Sequence, residues 1–317
     1  MRIHIDTDFG GDPDDACALA FLLGSPGVQI VGITTNLDVG GHRAGCVAHY
    51  LDLAGRSAIP LAAGAGATLS KLDRHSSTAQ DSRYWPQPIT PAPSAPGTAI
   101  DLLSENVELG ATIVAIGALT NLALLEVARP GSLRQASVVF MGGWIEPGAS
   151  GLPPWGPEMD WNVQCDTHAA VIVAAATNLT LVTLPATLTA HLRASHLPRL
   201  RASGQIGELL ALQTEVHAQD NHMANLARSH PGLPDDLLNF HYDPVTCAVA
   251  QAWAGATVQD MRLQPVLRDG TLQFCPSEGG RPTRVVTAVD GEAFAGLWLA
   301  RIESLNGREA AAGRPTK

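Results

Sequence analysis

The chain alternates short apolar runs, many of them β-branched, with longer stretches rich in alanine and leucine, and this alternation constrains the fold most. RIHID at the start, which alternates apolar and polar residues, is followed by DDACALAFLLGS, and VQIVGITT (28–35) is followed by GHRAGCVAHYLDLAG (41–55). Further apolar runs are IPLAAG, 111–119, 136–143 and 178–185. Strands that are apolar throughout and separated by helices are typical of a parallel sheet with both faces covered. We therefore predict an α/β protein.

Composition excludes several classes of partner. The chain has 317 residues, 45% of them hydrophobic, which is enough to bury a large core. Its formal net charge of −10 argues against nucleic acid and membranes as partners, because both are recognised through basic patches. The five cysteines form no C-x-x-C pair, and the sequence contains no recognisable signal peptide or membrane span. We expect a cytoplasmic protein with reduced thiols.

Two stretches interrupt the alternation of strands and helices. Residues 68–98 are rich in Pro and Ser, and residues 146–161 are rich in Gly and Pro but contain Trp155 and Trp161. Loops of this length in a compact domain are usually functional or disordered, and the two tryptophans favour an ordered second loop. Because no repeat or linker divides the chain, we expect one domain over residues 1–317.

Five aspartates cluster where the first predicted strand meets the first predicted helix: Asp6, Asp8, Asp12, Asp14 and Asp15. In a parallel sheet this junction lies at the carboxyl edge, where ligands bind. Helix capping accounts for one or two of these carboxylates but not for five. Converging carboxylates repel each other unless a cation neutralises them, and Ca²⁺ accepts roughly six to eight oxygen ligands. The ligand count favours Ca²⁺ over Mg²⁺.

Two other interpretations of the cluster fit less well. An EF-hand loop needs a bidentate Glu where Cys17 stands, and no helix fits before Asp6. A phosphatase of the D-x-D type needs a downstream lysine to hold phosphate, and the only lysines are Lys71 and Lys317.

The cluster DTDFGGDPDDACAL resembles the N-terminal signature of the inosine-uridine preferring nucleoside hydrolase family, with two extra residues between Gly10 and Asp15. Other segments resemble family motifs in the family's order, from residue 2 to residue 302. They are GITT (32–35), IGALTNLALL (116–125), VVFMGG (138–143), DWNVQCDTHAA (160–170), HYDPVTCAVA (241–250) and the tail 283–302.

The resemblance implies an open, mostly parallel, twisted sheet with helices on both faces, which is a Rossmann-like arrangement, in a homodimer or homotetramer. It also implies Ca²⁺-dependent hydrolysis of the N-glycosidic bond of a small ribonucleoside, giving ribose and free base. By position, Asp8, Asp15 and Asp243 are expected to bind Ca²⁺ through carboxylates and Ile116 through its main-chain carbonyl. Asp8 is also expected to be the general base that activates a Ca²⁺-bound water.

The same resemblance implies a ribose-binding set: Asp14, Asp160 and Asn162 as hydrogen-bonding residues, Met141 as a packing residue, and Asp243. Asp160 stands where the family usually has Glu, so its side chain is one methylene shorter. Glycoside cleavage passes through an oxocarbenium-like state, and an acidic pocket stabilises the positive charge that develops on the sugar.

The group that protonates the leaving base is less well defined. Tyr242 precedes Asp243 where many family members have a histidine, and His241 lies one position earlier, so both are catalytic candidates. The V-H-G loop of the family is replaced by RHSSTAQDSRYWPQP. Further candidates for contact with a nucleobase are His75, Tyr84 and Trp85 in that loop, and His217, His222 and Asn225 in the helical stretch 208–229.

Three functional hypotheses follow from these patterns. The favoured one is a Ca²⁺-dependent ribonucleoside hydrolase. A non-catalytic Ca²⁺-dependent binder of ribose or nucleosides is the alternative, because the expected leaving-group histidine is displaced. A metal-dependent phosphohydrolase is disfavoured by the shortage of lysine.

Overall fold

A nine-stranded sheet forms the centre of the structure, a computed structural model that describes residues 1–70 and 77–312, with side chains through Leu305. The strands are β1 (Arg2–Thr7), β2 (Gln29–Thr35), β3 (Leu61–Ala63), β4 (Thr112–Ala115), β5 (Ser137–Met141), β6 (Leu179–Val182), β7 (His191–Arg193), β8 (Leu237–Phe240), β9 (Ala256–Arg268), β10 (Thr271–Pro276) and β11 (Arg281–Val289). The sheet order is β10-β9-β11-β6-β5-β4-β1-β2-β3, and β7 pairs separately with β8.

Most of the large sheet is parallel, which confirms the predicted fold class. The strands from β11 to β3 run parallel to their neighbours. The remaining edge is antiparallel, because β9 pairs in the opposite direction with both β11 and β10. The sequence pattern did not predict this antiparallel edge, since its strands alternate buried and exposed residues instead of being apolar throughout.

Helices cover both faces of the sheet. They are α1 (Asp14–Gly24), α2 (His42–Leu53), α3 (Thr98–Glu108), α4 (Thr120–Ala128), α5 (Trp161–Cys165), α6 (Thr167–Ala176), α7 (Leu184–Thr187), α8 (Leu197–Arg201), α9 (Gly204–Asp220), α10 (Met223–Ser229), α11 (Tyr242–Ala250) and α12 (Gly291–Ala312). Within the described ranges, none of them is long and apolar enough to cross a membrane.

Alternating strand residues build two separate cores, one on each face. Val114 and Val139 belong to the core that includes α1 and α12, whereas Ile113 and Val138 belong to the core that includes α4 and α6. Successive side chains of a strand point to opposite faces, so a strand buried on both sides is apolar at most positions, and buried polar residues such as His4 and Asp6 of β1 are hydrogen-bonded. Burial on both sides explains the continuous apolar runs of the sequence.

The carboxyl ends of the central strands carry the predicted site residues to one edge. Asp8 follows β1, Ile116 follows β4, and the loop after β5 leads to α5. Between β1 and α1 the chain turns through Gly10, whose φ of +88° is disfavoured for residues with a Cβ. A Cβ at this glycine would also lie 3.1 Å from Cys46 Sγ.

The helical stretch predicted over 208–229 is divided into two helices. His222, with a φ of +52°, separates α9 from α10. A left-handed residue cannot continue a right-handed helix, so the two helices leave this point in different directions. As a result the polar residues of the stretch do not share one face.

Candidate active site

A cavity of about 700 Å³ opens at the carboxyl edge of the central strands. It is lined by all the residues predicted for catalysis, metal binding and ribose binding except His241: Asp8, Asp14, Asp15, Ile116, Met141, Asp160, Asn162, Tyr242 and Asp243. The acidic cluster reaches the cavity because β1 ends beneath it and α1 begins beside it. Asp243 arrives from the first turn of α11, a helix that packs against α1.

The acidic side chains at the bottom of the cavity are buried and close enough to repel one another. Asp14, Asp15 and Asp243 are 3–5% exposed. Burial raises the pKa of each of the three well above the usual carboxyl range, and the negative charge of neighbouring aspartates raises it further. Asp14 Oδ1 is buried without a hydrogen-bond partner. The folded chain therefore concentrates negative charge that its own residues do not fully neutralise.

The pKa of Asp8 is raised, although two neighbours oppose the effect of burial. Burial raises its pKa, while the guanidinium of Arg43 and the indole N–H of Trp161 act to lower it. Trp161 Nε1 donates to Asp8 Oδ2 at 3.3 Å. Arg43 holds the turn itself, since its Nη1 donates to the main-chain carbonyl of Asp8 and, at 3.1 Å, to that of Phe9.

The donor set at the bottom of the cavity fits a hard divalent cation. Asp8, Asp15 and Asp243 supply carboxylates, Ile116 supplies a carbonyl, and Asp14 Oδ1 lacks a partner. Hard cations such as Ca²⁺ prefer all-oxygen sites with several carboxylates. Over residues 1–70 and 77–312, no group of three or more His, Cys, Asp or Glu side chains already stands in metal-binding geometry.

Two predicted ribose-binding residues are anchored by the main chain at the end of β5. Asn162 Nδ2 donates to the carbonyl of Met141 at 3.0 Å. Asp160 accepts the N–H of Gly143 at 2.5 Å through Oδ2 and that of Val163 at 3.3 Å through Oδ1, so it caps α5. Burial raises the pKa of Asp160 to about 7.

The two leaving-group candidates next to Asp243 lie in different environments. Tyr242 lines the cavity, whereas His241 is fully buried and does not. The His241 ring centroid lies 4.6 Å from that of Trp298, and neither ring nitrogen has a hydrogen-bond partner. Burial also lowers the pKa of His241 well below its usual range. The position before α11 turns this side chain into the core, away from the cavity.

Asp6 lies beneath the cavity and does not line it. It is fully buried and accepts hydrogen bonds from Thr34 at 2.6 Å, Asn121 at 2.7 Å and Asn36 at 3.1 Å. Thr34 also contacts His4 at 2.9 Å. These bonds tie β1 to β2 and α4, so Asp6 supports the strand end from below.

Of the further nucleobase candidates, Tyr84 and His217 line the cavity. Trp85 is 2% exposed and packs near Phe9. His222 and Asn225 are not among the lining residues, because the chain turns at His222 and α10 leads away. His75, Lys71 and Lys317 lie outside the described residues.

The structure adds cavity residues to which the sequence patterns gave no role in the site. They are Gly11, Ser77, Thr78, Met159, Leu184, Asn221 and, most directly placed, Arg43 and Trp161. A signal existed for Arg43, since it is a cationic residue at the start of the helix that follows the second predicted strand. For Asn221 the signal was its i,i+4 spacing from His217 on one helix face.

Comparison with known proteins agrees with this geometry. A family model described as inosine-uridine preferring nucleoside hydrolase matches residues 3–296. The chain is 28% identical over 321 residues to the pyrimidine-specific ribonucleoside hydrolase RihA of Salmonella schwarzengrund, covering 96% of this chain and 98% of that protein. A plant nucleoside hydrolase, PpNRh1, matches with a TM-score of 0.78 and 24% identity, covering 95% of this chain and 98% of that one. A purine-preferring ribonucleoside hydrolase from Gardnerella vaginalis matches with a TM-score of 0.78 and 20% identity, covering 96% and 99%. The structural matches show a shared fold.

Proposed function

Because the chain belongs to the inosine-uridine preferring nucleoside hydrolase family, and is thus a hydrolase acting on N-glycosyl compounds, we propose that it cleaves ribonucleosides with calcium as its metal ion. One observation carries the proposal. Asp8, Asp14 and Asp15 from the first turn meet Asp243 from α11 in one cavity, and Asp14 Oδ1 is buried there without a partner.

The family depends on a metal ion in general, and the donors present here support calcium. Asp8, Asp15 and Asp243 would hold the ion through carboxylates and Ile116 through its carbonyl. When bound, a divalent cation offsets the carboxylate charge and lowers the pKa of a nearby water.

The ribose is held by side chains that the main chain has already oriented. Asp14 offers its unpartnered Oδ1 to a ribose hydroxyl, and Asp243 lies beside it, its N–H donating to Asp14 Oδ2 at 3.0 Å. Asn162 and Asp160 retain lone pairs for further hydroxyls, and Met141 packs against the sugar. Fixed donors and acceptors of this kind lower the entropic cost of reaching the reactive geometry.

Asp8 is the general base of the proposed reaction. It removes a proton from the attacking water, whose oxygen forms a bond to C1′ as the C1′–N bond breaks. The surrounding carboxylates stabilise the positive charge that develops on the ribose. The Trp161 side chain that now contacts Asp8 is more than half exposed, so an entering sugar displaces it without disturbing the core.

A second candidate function is calcium-dependent binding of ribose or nucleosides without catalysis. The observation that favours it is the burial of His241, which removes one of the two predicted leaving-group residues from the cavity.

Ribose release from a panel of purine and pyrimidine nucleosides and from p-nitrophenyl riboside, with and without a chelator, tests the proposal. We expect release that a chelator abolishes and added Ca²⁺ restores. The nitrophenolate leaving group needs no protonation, so the riboside reports on the ribose-binding and base residues alone. Tight ribose binding without release from any substrate would favour the binder. Phosphate release from phosphomonoesters would contradict the proposal.

A further inference from the structure

Asp12 is the one aspartate of the cluster that the proposed reaction does not use. It lies within the two-residue expansion between Gly10 and Asp15. Asp12 Oδ1 accepts hydrogen bonds from Asn239 Nδ2 at 2.6 Å and from the N–H of Asp14 at 3.1 Å. Asp12 Oδ2 lies 3.4 Å from Nε2 of His217. The expansion therefore joins the acidic turn to α9.

His217 lines the same cavity and has a distinct neighbour at each ring nitrogen. Nε2 faces the Asp12 carboxylate, and Nδ1 accepts a hydrogen bond from Nδ2 of Asn221, the residue after α9, at 3.1 Å. Its side chain is 12% exposed, so the ring is held but still open to the cavity. A carboxylate on one ring nitrogen orients an imidazole, so Nδ1 is the nitrogen that faces substrate. Asn221 is exposed, so its amide turns away from Nδ1 when a nucleobase enters.

The depth of the cavity residues indicates which part of a nucleoside His217 would meet. Asp14, Asp15 and Asp243 at the bottom are nearly inaccessible, whereas Asn221 is exposed and His217 and Tyr242 are half-buried. A ribose held by the buried carboxylates directs its base toward these less buried residues.

We propose that His217, held by Asp12, is the catalytic residue that protonates the leaving nucleobase; this rests on the proposed hydrolysis of ribonucleosides. As the C1′–N bond breaks, its electron pair moves to the base, and the imidazolium N–H proton of His217 transfers to a nitrogen or oxygen of that base. Neutral His217 then regains a proton from solvent, and Asp8 releases to solvent the proton it took from water. Asp12 is a positioning residue that orients the ring.

The neighbouring candidates are less suited to this role. His241 does not reach the cavity. Tyr242 does, but its ring packs against that of Phe240 at a centroid distance of 5.4 Å, and within the described residues no hydrogen bond orients its hydroxyl, whereas Asp12 orients His217.

The test compares substrates that need leaving-group protonation with one that does not. In His217→Gln, kcat for the best nucleoside is expected to fall by about 100-fold or more, the usual effect of removing a general acid, while kcat for p-nitrophenyl riboside changes by less than about 3-fold. Asp12→Asn is expected to show the same selectivity with a smaller loss, about 10-fold, because the acid remains but is less well held. His168→Gln, an exposed histidine on α6, is the matched control and should change neither substrate.

The riboside also shows whether each variant is folded and active, so a misfolded protein is not mistaken for a missing acid. Equal losses on both substrates, or unchanged nucleoside turnover in His217→Gln, would overturn the assignment. A selective nucleoside loss in Tyr242→Phe but not in His217→Gln would overturn it in favour of Tyr242. If the wild-type protein hydrolyses nucleosides and His217→Gln hydrolyses them equally well, the assignment fails alone. If the wild-type protein hydrolyses no nucleoside, the proposed function fails with it.

Discussion

Replacing His241 by leucine tests the division between core and cavity directly. His241 is fully buried, both of its ring nitrogens lack partners, and its ring packs against Trp298 and Phe294. A leaving-group acid at this position would have to face the substrate. We therefore predict that His241→Leu stabilises the protein and leaves nucleoside turnover within about 2-fold of wild type, since a residue that does not touch substrate contributes little to kcat.

The magnitude follows from two opposing contributions. A neutral imidazole buries one donor and one acceptor here, and each unpaired buried group costs about 1–3 kcal/mol. Leucine removes both but loses two aromatic contacts, with centroid distances of 4.6 Å to Trp298 and 5.4 Å to Phe294. Each such pair is worth about 0.5–1.5 kcal/mol. The expected net gain in the free energy of unfolding is about 1–3 kcal/mol.

Urea unfolding and steady-state kinetics on the same preparation measure the two effects. The exposed control His168→Leu should change the free energy of unfolding by less than about 0.5 kcal/mol. A destabilised His241→Leu would mean that the ring nitrogens are satisfied in solution. A nucleoside kcat reduced by about 100-fold with normal riboside turnover would mean that His241 is the acid, and the reasoning from burial would then be refuted.

Three further predictions concern the base, the metal ion and pH. Asp8→Asn should lower kcat for nucleosides and for p-nitrophenyl riboside alike by about 100-fold or more. Asp235→Asn, a change at an exposed aspartate, is the control. Turnover retained in Asp8→Asn would show that Asp8 is not the base. Added Ca²⁺ should raise the Tm of chelator-treated protein, because a ligand at 100 times its Kd stabilises the folded state by about 2.7 kcal/mol. Asp243→Asn should abolish this rise in Tm. An equal rise in both proteins would place the ion elsewhere. Burial lowers the pKa of His4 from 6.5 to about 3. Between these two pH values the unfolded chain binds a proton that the folded chain does not. The free energy of unfolding should therefore fall on acidification by up to about 1.4 kcal/mol per pH unit. Asp6, whose pKa burial raises to about 6, acts in the opposite direction, which is why the test compares two proteins. In urea unfolding, the free energy of unfolding should fall less from pH 7 to pH 5 in His4→Gln than in wild type. An equal fall in both proteins would contradict the burial argument.

Local sequence patterns were sufficient for the parallel part of the fold. The strand runs ending at Ala115 and Met141 are buried on both faces and mostly apolar, and that pattern is visible in the sequence without any knowledge of neighbours. The antiparallel edge formed by β9, β10 and β11 was not predictable in this way. Its strands are half-exposed, and their pairing depends on contacts with each other rather than on their own composition.

For the site, the sequence determined the residue types and their order, and through them the family. It also determined the edge of the sheet to which the acidic cluster belongs, because a residue that follows a parallel strand must lie at its carboxyl end. Which neighbouring side chain faces substrate was decided only by the tertiary structure. His241 and Tyr242 are adjacent in sequence, but the start of α11 sends one into the core and the other to the cavity. The sequence patterns assigned no role to Asp12, because its partners His217 and Asn239 lie more than 200 residues away along the chain. Contacts at that separation exist only once the chain has folded.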